Sequence, residues 1–491
     1  MPYLVRDIAK SSSVAFGTSG ARGLVTAMTD EVCFIYTAGF LQYLASLGQF
    51  SPGLAVAIAG DLRPSSPRIM RACAAAVEAL GGVVAYAGFV PSPAVSLYGF
   101  THKIPSLMIT GSHIPDDRNG IKFNRADGEL LKSDEAGVLG QQVSLPDGWF
   151  DAAGALIHAV DLGAPVDVLQ AYVARYVDFF GADALSGKTI GVYEHSAVGR
   201  DVLTAIVQAL GANTVALGRS DSFMPVDTEA VRPEDVALAT QWAREMPLDA
   251  IVSTDGDSDR PLLSDEHGQW LRGDVLGILT ARALAASVVV TPVSSNTALE
   301  KTAEFKSVRR TRIGSPYVID AMNAALAEGE QDVCGFEANG GFLLASDFMR
   351  KERVLTALPT RDAVLPMVAT LVLATQQGKT LSQLVASLPP RFAASDRIKA
   401  FATERSHALL APFMRGDDLA LAAFDAQFGK LVGAKAVAMD LTDGVRVTFA
   451  NDEVVHLRPS GNAPELRCYT EADNLVRAQA LCAKVLAELS I

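Results

Sequence analysis

From residue 54 onward the chain alternates short apolar runs with stretches whose apolar side chains recur at helical spacing. Residues 54–60 (LAVAIAG) form one such run and stop at Asp61, as a buried parallel strand does. Residues 64–80 place Ala72, Cys73, Ala76, Val77 and Leu80 on one helical face, and Gly81-Gly82 end the helix. Residues 83–88 read as the next strand and 93–100 as a short helix. Residues 106–110 (SLMIT) read as a third strand, with Gly111-Ser112-His113 at its C-terminal end. Strands buried on both faces and separated by helices build open α/β sheets, which bind ligands at the carboxyl ends of their strands.

The alternation continues with strand-like residues 188–193, 214–217, 249–253, 287–293 and 332–336. Helix-like residues 198–210, a segment through Trp242, and residues 274–286, 317–327 and 363–375 lie between or after them. Three alternations of similar size suggest a repeated α/β unit without a residue-level repeat. Beyond Pro389-Pro390 the pattern changes. Residues 437–441, 445–449 and 454–457 are short alternating strands with turn signals at Asp443-Gly444 and Asn451-Asp452, and residues 473–489 close as a helix, an α+β module.

Composition excludes several function classes. The 491 residues carry 42 basic and 55 acidic side chains, a net charge of −13, which argues against a general nucleic-acid binder. No apolar run reaches the ~20 residues of a membrane span, and the first residues show no export signal, so no membrane partner is expected. Five cysteines without a C-x-x-C point to a reducing, cytoplasmic compartment and away from a disulfide or zinc framework. The run from Gly181 to Gly187-Lys188-Thr189 imitates a phosphate-binding loop but has one residue too many and precedes a strand. Asp255, Asp257 and Asp259 with Glu266 imitate a calcium loop, but Arg260 stands where the turn needs glycine.

Four clusters make chemical sense together. Ser112 follows a strand, small Gly111 leaves space beside it, and Lys122 follows in the same loop; a serine hydroxyl needs such an activating neighbour. Asp255, Asp257 and Asp259 alternate in what reads as an extended segment, so their carboxylates project to one side and demand a cation, for which Mg²⁺ suits oxygen ligands. Glu337 and Asn339, flanked by glycines, can hydrogen-bond sugar hydroxyls. Arg458, Ser460, Gly461, Asn462 and Arg467 form a phosphate cradle. Taken singly, these are also a capping serine, a solvated acidic turn, a polar turn and a pair of surface arginines.

Their order distinguishes them. Residues 16–23 (FGTSGARG), 110–115 (TGSHIP), 255–260 (DGDSDR), 336–341 (FEANGG) and 458–467 (RPSGNAPELR) follow one another across nearly the whole chain. Together they resemble the α-D-phosphohexomutase superfamily, closest to bacterial phosphomannomutase/phosphoglucomutase. The resemblance implies three similar mixed-sheet α/β domains and a smaller C-terminal α+β domain around a central cleft. The expected divisions are residues 1–150 with the serine, 151–258 ending in the metal loop, 259–388 with the sugar loop, and 389–491 with the phosphate loop. It further implies that Ser112 carries a phosphoryl group and that Mg²⁺ is held by Asp255, Asp257, Asp259 and a phosphoserine oxygen. Lys122 would be the general acid/base and His113 would orient the phosphoryl group. Arg22, Arg260, Glu337, Asn339, Arg458, Ser460, Gly461, Asn462 and Arg467 would bind a phosphosugar. The implied reaction interconverts hexose 6- and 1-phosphates, mannose and also glucose, through a hexose 1,6-bisphosphate, supplying polysaccharide synthesis, in a monomer or homodimer.

The chain departs from the family wording at three places. Asn339 and Gly341 replace the usual Ser and His of the sugar loop, Asn462-Ala463 replace Thr-Glu, and Ser315 follows Gly314 where relatives have His. An amide at position 339 leaves a phosphoacetylglucosamine mutase as the alternative activity, and a non-catalytic sugar-phosphate binder as a further one.

Overall fold

The apolar runs assemble into three open sheets that share one four-strand core. In the first, parallel strands Val83–Phe89, Ala55–Gly60 and Ser106–Ile109 lie side by side in that order, and Arg118–Asn124 runs antiparallel beside the last. The second repeats this with Asn213–Leu217, Thr189–Tyr193, Ala250–Thr254 and antiparallel Pro261–Ser264. The third repeats it with Ser307–Thr311, Val288–Pro292, Val333–Phe336 and antiparallel Phe342–Leu344. The structure is a computed structural model and describes residues 2–17, 20–460 and 464–489.

Strands Ala21–Leu24 and Ala15–Phe16 widen the first sheet, and Leu358–Asp362 widens the third. The fourth sheet is wholly antiparallel, in the order Phe392–Ile398, Leu466–Ala472, Val454–Pro459, Val445–Phe449 and Ala436–Asp440. Helix Leu475–Leu489 buries Leu481, Cys482 and Val485 with Val455 and Leu457 of that sheet. The change of architecture after Pro389-Pro390 is therefore as the sequence implies.

One apolar core runs through the first three units. It joins Ala57, Val95 and Met108 of the first to Tyr172, Ile190 and Ile206 of the second and Leu276, Phe336 and Leu365 of the third. Units sharing a dry core dock as one body, unlike the small polar contacts usual between domains. The first unit has a second core around helix Asp30–Ser46, whose residues are buried nearly all round. That helix escapes a periodicity test because it has no polar face to contrast with an apolar one.

Two sequence expectations change. Pro261–Ser264 pairs with Ala250–Thr254, so a division at 258/259 cuts through the second sheet. Lys122 does not sit in the serine loop; it lies opposite Met108 on strand Arg118–Asn124. This strand is polar in sequence yet buried, because its amides find internal partners: Asn119 Nδ2 donates to Ser65 Oγ at 2.8 Å, and Asn124 Nδ2 to Ser96 and Ser106 Oγ at 3.0 Å.

The hairpin between the third and fourth core strands is the equivalent loop of each unit. It carries Ser112 in the first, the aspartates in the second, and Glu337 to Gly341 in the third. Helix Gly273–Leu284 holds the third hairpin close, since a Cβ on Gly277 would lie 2.4 Å from Cγ of Phe336. Gly277→Val is expected to cost about 1–3 kcal/mol through overpacking. The readout is an earlier thermal unfolding transition by calorimetry.

Candidate active site

Ser112 sits at the carboxyl end of its sheet with φ +56°, a left-handed conformation unfavourable for a side chain with Cβ. A buried arginine holds it there. Arg63 pairs through Nε with Asp61 Oδ2 at 3.0 Å. Its Nη2 donates to the carbonyls of Ser112 (2.8 Å) and Ile114 (2.6 Å), and its Nη1 to those of Pro115 (2.7 Å) and Arg118 (3.2 Å). Thr110 Oγ1 accepts from the Ser112 N–H and donates to Asp61, both at 2.7 Å. Gly111 must be small, because a Cβ there would meet Arg63 Cζ at 2.7 Å. So clamped, the buried Ser112 Oγ donates to Asp255 Oδ2 at 2.7 Å.

The three aspartates lie in a tight turn and not in the extended segment their alternation implies. Asp255 Oδ1 accepts from the N–H groups of Asp259 (3.2 Å) and Arg260 (3.1 Å), and Ser258 takes φ +58°. One oxygen from each of Asp255, Asp257 and Asp259 falls within 4.8 Å of the others, all three being buried. Lys122 Nζ lies 2.5 Å from both Asp257 Oδ2 and Asp259 Oδ2, and Arg361 Nε lies 3.0 Å from Asp259 Oδ2. Burial and the charges of Asp257 and Asp259 push the Asp255 carboxyl well up. Burial acts the same way on Asp259, but Arg361, Lys122 and Arg260 outweigh it and hold that carboxyl well down.

These residues fit a hard divalent cation. Asp257 Oδ1 and Asp259 Oδ1 are buried and accept no hydrogen bond among the described residues. Unsatisfied carboxylate oxygens at close range are what an oxygen-liganded ion neutralises.

Of the other expected residues, His113, Arg22, Arg260 and Glu337 lie beside this cluster. His113 Nδ1 accepts from Arg260 Nη1 at 2.8 Å and lies 3.4 Å from Ser112 Oγ. An arginine only donates, so the His113 proton is placed on Nε2. Burial, then Arg260, pushes His113 down to about 3. Arg22 is lowered to about 10 by burial and by Arg260 and Arg361, which places it in the same cationic group. Glu337 Oε2 lies 3.3 Å from Arg361 Nη1. Asn339 Oδ1 accepts from the Gly341 N–H at 2.9 Å, and its carbonyl accepts from Thr228 Oγ1 at 2.7 Å. In the fourth unit Arg458 and Arg467 are cross-strand partners, engaged by Asp443 (2.9 Å) and Glu465 (3.6 Å) of their own unit. The Ser460 N–H donates to the Glu465 carbonyl at 2.9 Å, while Gly461 and Asn462 lie outside the described residues.

Models of the phosphoglucomutase/phosphomannomutase alpha/beta/alpha domains I, II and III match residues 13–144, 170–268 and 272–392, and that of the C-terminal domain matches 411–488. The chain is 44% identical over 475 residues to a phosphomannomutase of Salmonella muenchen, covering 96% of this chain and 95% of that one. The chain belongs to the phosphoglucomutase/phosphomannomutase family. A phosphomannomutase of Sinorhizobium fredii is likewise 44% identical over 481 residues, 97% of this chain and 98% of that one. The fold is shared with a putative phosphomannomutase from Thermus thermophilus, with a TM-score of 0.72 at 20% identity over 97% of this chain and 99% of that chain.

Within this family frame, the motifs describe the hairpins but not what supports them. Asp61 and Arg63 stand at a strand end as Asp-Leu-Arg, a charged pair after an apolar run, and that is the one signal for them. Arg361 lies in a strand between Thr360 and Asp362 with nothing in its spacing to mark it.

Two buried histidines and the half-buried His113 predict the acid behaviour of this chain. Burial lowers His113 to about 3, and His195 and His456 to about 4, from an ordinary value near 6.5. Below that value the unfolded chain binds protons that the native form refuses, so stability falls with falling pH by about 1.4 kcal/mol per pH unit for each such group. Asp255, raised by its surroundings, acts with the opposite sign. The melting temperature of a His195→Gln/His456→Gln variant is therefore expected to depend less on pH between about 6.5 and 5 than that of the parent.

Proposed function

We propose that the chain is a phosphohexomutase that interconverts hexose 6-phosphate and hexose 1-phosphate, acting on mannose and also glucose phosphates, through a phosphorylated Ser112. The observation that carries this reading is the convergence of Ser112, the three aspartates and Lys122 from two equivalent hairpin regions. The end-to-end match to phosphomannomutases supports mannose over the N-acetylglucosamine alternative suggested by Asn339, which is not favoured.

In this reading Asp255, Asp257 and Asp259, with an oxygen of the phosphorylated serine, hold Mg²⁺. When bound, the ion neutralises charge on the phosphoryl oxygens as they pass between serine and sugar. A free hydroxyl of the sugar phosphate attacks the phosphorus, the bond from phosphorus to Ser112 Oγ breaks, and the attacking hydroxyl gives up its proton. Lys122, held by two carboxylates beside the serine, passes this proton on in the scheme, and the released Ser112 Oγ takes it up. His113, with Nδ1 bonded to Arg260 and 3.4 Å from Ser112 Oγ, stays neutral and orients the phosphoryl group without adding charge. The hexose 1,6-bisphosphate formed then returns its other phosphate to Ser112. Arg458, Ser460, Gly461, Asn462 and Arg467 hold the phosphate that is not reacting, Arg260 offsets the charge of the phosphoserine, Arg22 faces the cleft, and Glu337 and Asn339 address the sugar hydroxyls.

All five cysteines are buried and unbridged, which supports a reducing compartment, and we place the enzyme in the cytoplasm. No helix of the described residues is long and apolar enough to cross a membrane. We take the functional unit to be a monomer or homodimer, since the proposed site is assembled within one chain.

Ser112→Ala should lower turnover of mannose 1-phosphate by on the order of 10³-fold or more. Intact mass spectrometry should find one phosphoryl group on the parent and none on this variant. Retained activity would sink the assignment. In a panel of hexose 1-phosphates, preference for N-acetylglucosamine would reverse the substrate order.

A further inference from the structure

Asp259 and Glu337 belong to different units and, in the reading above, to different tasks, one at the cation and one at the sugar. A single side chain touches both. Arg361 is buried on strand Leu358–Asp362, with Nε 3.0 Å from Asp259 Oδ2 and Nη1 3.3 Å from Glu337 Oε2. The strand is pinned on either side of it. Thr360 Oγ1 donates to Glu129 Oε1 at 2.7 Å, and Asp362 accepts from the hydroxyls of Tyr172 (3.0 Å) and Tyr176 (2.6 Å). The arginine stem needs the space beside Gly341, where a Cβ would meet Arg361 Cδ at 2.6 Å and Cγ at 2.8 Å. Position 341 must therefore be glycine for Arg361 to reach its two carboxylates. Asp259 is also divided by this contact. Its Oδ2 receives Arg361 and Lys122, and its buried Oδ1 accepts no hydrogen bond among the described residues.

We propose that Arg361 is a positioning residue that couples the acidic turn to the sugar loop through one guanidinium shared by Asp259 and Glu337. The inference rests on the acidic turn being the cation site. In a buried setting the charge of Arg361 is poorly screened, so the share drawn by Glu337 sets how much falls on Asp259. Neutralising Glu337 leaves that positive charge to Asp259, where it opposes a divalent cation. By linkage, a cation on the acidic turn and a sugar engaged by Glu337 change each other's affinity by the same factor. Arg361 thus informs each half of the site of the state of the other without touching the reacting atoms.

The test is a calorimetric titration of Mg²⁺ into the full chain with no sugar phosphate present. Glu337→Gln is expected to weaken Mg²⁺ binding by at least about fivefold, the lower end of ordinary coupling between sites, although Glu337 is not a ligand. In an Arg361→Gln background the same substitution should change Mg²⁺ affinity less than about twofold. Should Arg361→Gln fail to fold, Arg361→Lys takes its place, since an ammonium keeps the charge but lacks the fork that spans both carboxylates. Equal Mg²⁺ affinity of the parent and Glu337→Gln overturns the coupling, as does an equal effect of Glu337→Gln in both backgrounds. A parent chain that binds no Mg²⁺ overturns the cation site itself, a failure distinguishable from loss of the Glu337 effect alone.

Discussion

Burying carboxylates in a cluster is the constraint on which the rest of the molecule turns. Asp255, Asp257 and Asp259 lie within a few ångströms of one another and away from solvent, and Glu337 is buried nearby. Left unpaired, such groups would take up protons or open the structure to water. The charges that prevent this come mainly from elsewhere: Lys122 from the first unit and Arg361 from the third, beside Arg260 of the same turn. The second unit can bury its turn only while the other two are docked against it. Site assembly and domain docking are one event, which accounts for an apolar core that runs without interruption through all three units.

The repeated strand order brings the parts together. Each of the first three sheets ends its parallel run with a hairpin into an antiparallel strand, and each such hairpin carries one of the clusters. Repetition of the unit therefore yields three different loops in equivalent positions, one for a serine, one for carboxylates and one for a glutamate. The fourth unit is attached on the third. Asn296 Nδ2 donates to the Arg391 carbonyl at 2.7 Å, the Ile313 N–H donates to Asp443 at 2.9 Å, and Lys301 pairs with Asp452 at 3.0 Å.

Much of this was legible in the residues. Apolar runs such as 54–60 and 287–293 announce parallel strands because both their faces are covered, and the five motifs carry the family and the hairpin clusters. What was hidden depends on tertiary partners. Arg118–Asn124 is polar and became a central strand only because Ser65, Ser96 and Ser106 satisfy its amides, which moved Lys122 from a loop onto a sheet. The aspartates alternate as a strand would, yet Asp255 accepts two N–H groups of its own segment and curls it into a turn. Arg63 had only the charged pair with Asp61 to mark it, and Arg361 had nothing. A buried arginine is recognised by the groups that surround it, and the carbonyls on Arg63 and the carboxylates on Arg361 are separated from them by tens of residues.

The four carbonyls gathered on Arg63 have a mechanical consequence. A serine loop free to swing could follow its substrate, meeting first one end of the sugar and then the other. This loop is bolted to the floor of its sheet by a side chain that water does not reach, and its backbone is already held in a conformation it would not choose alone. In the proposed reaction Ser112 is the fixed post. The half-turn between the two phosphates then falls to the sugar, and the cleft has to be roomy enough for a bisphosphate to pivot while the protein beneath it stands still.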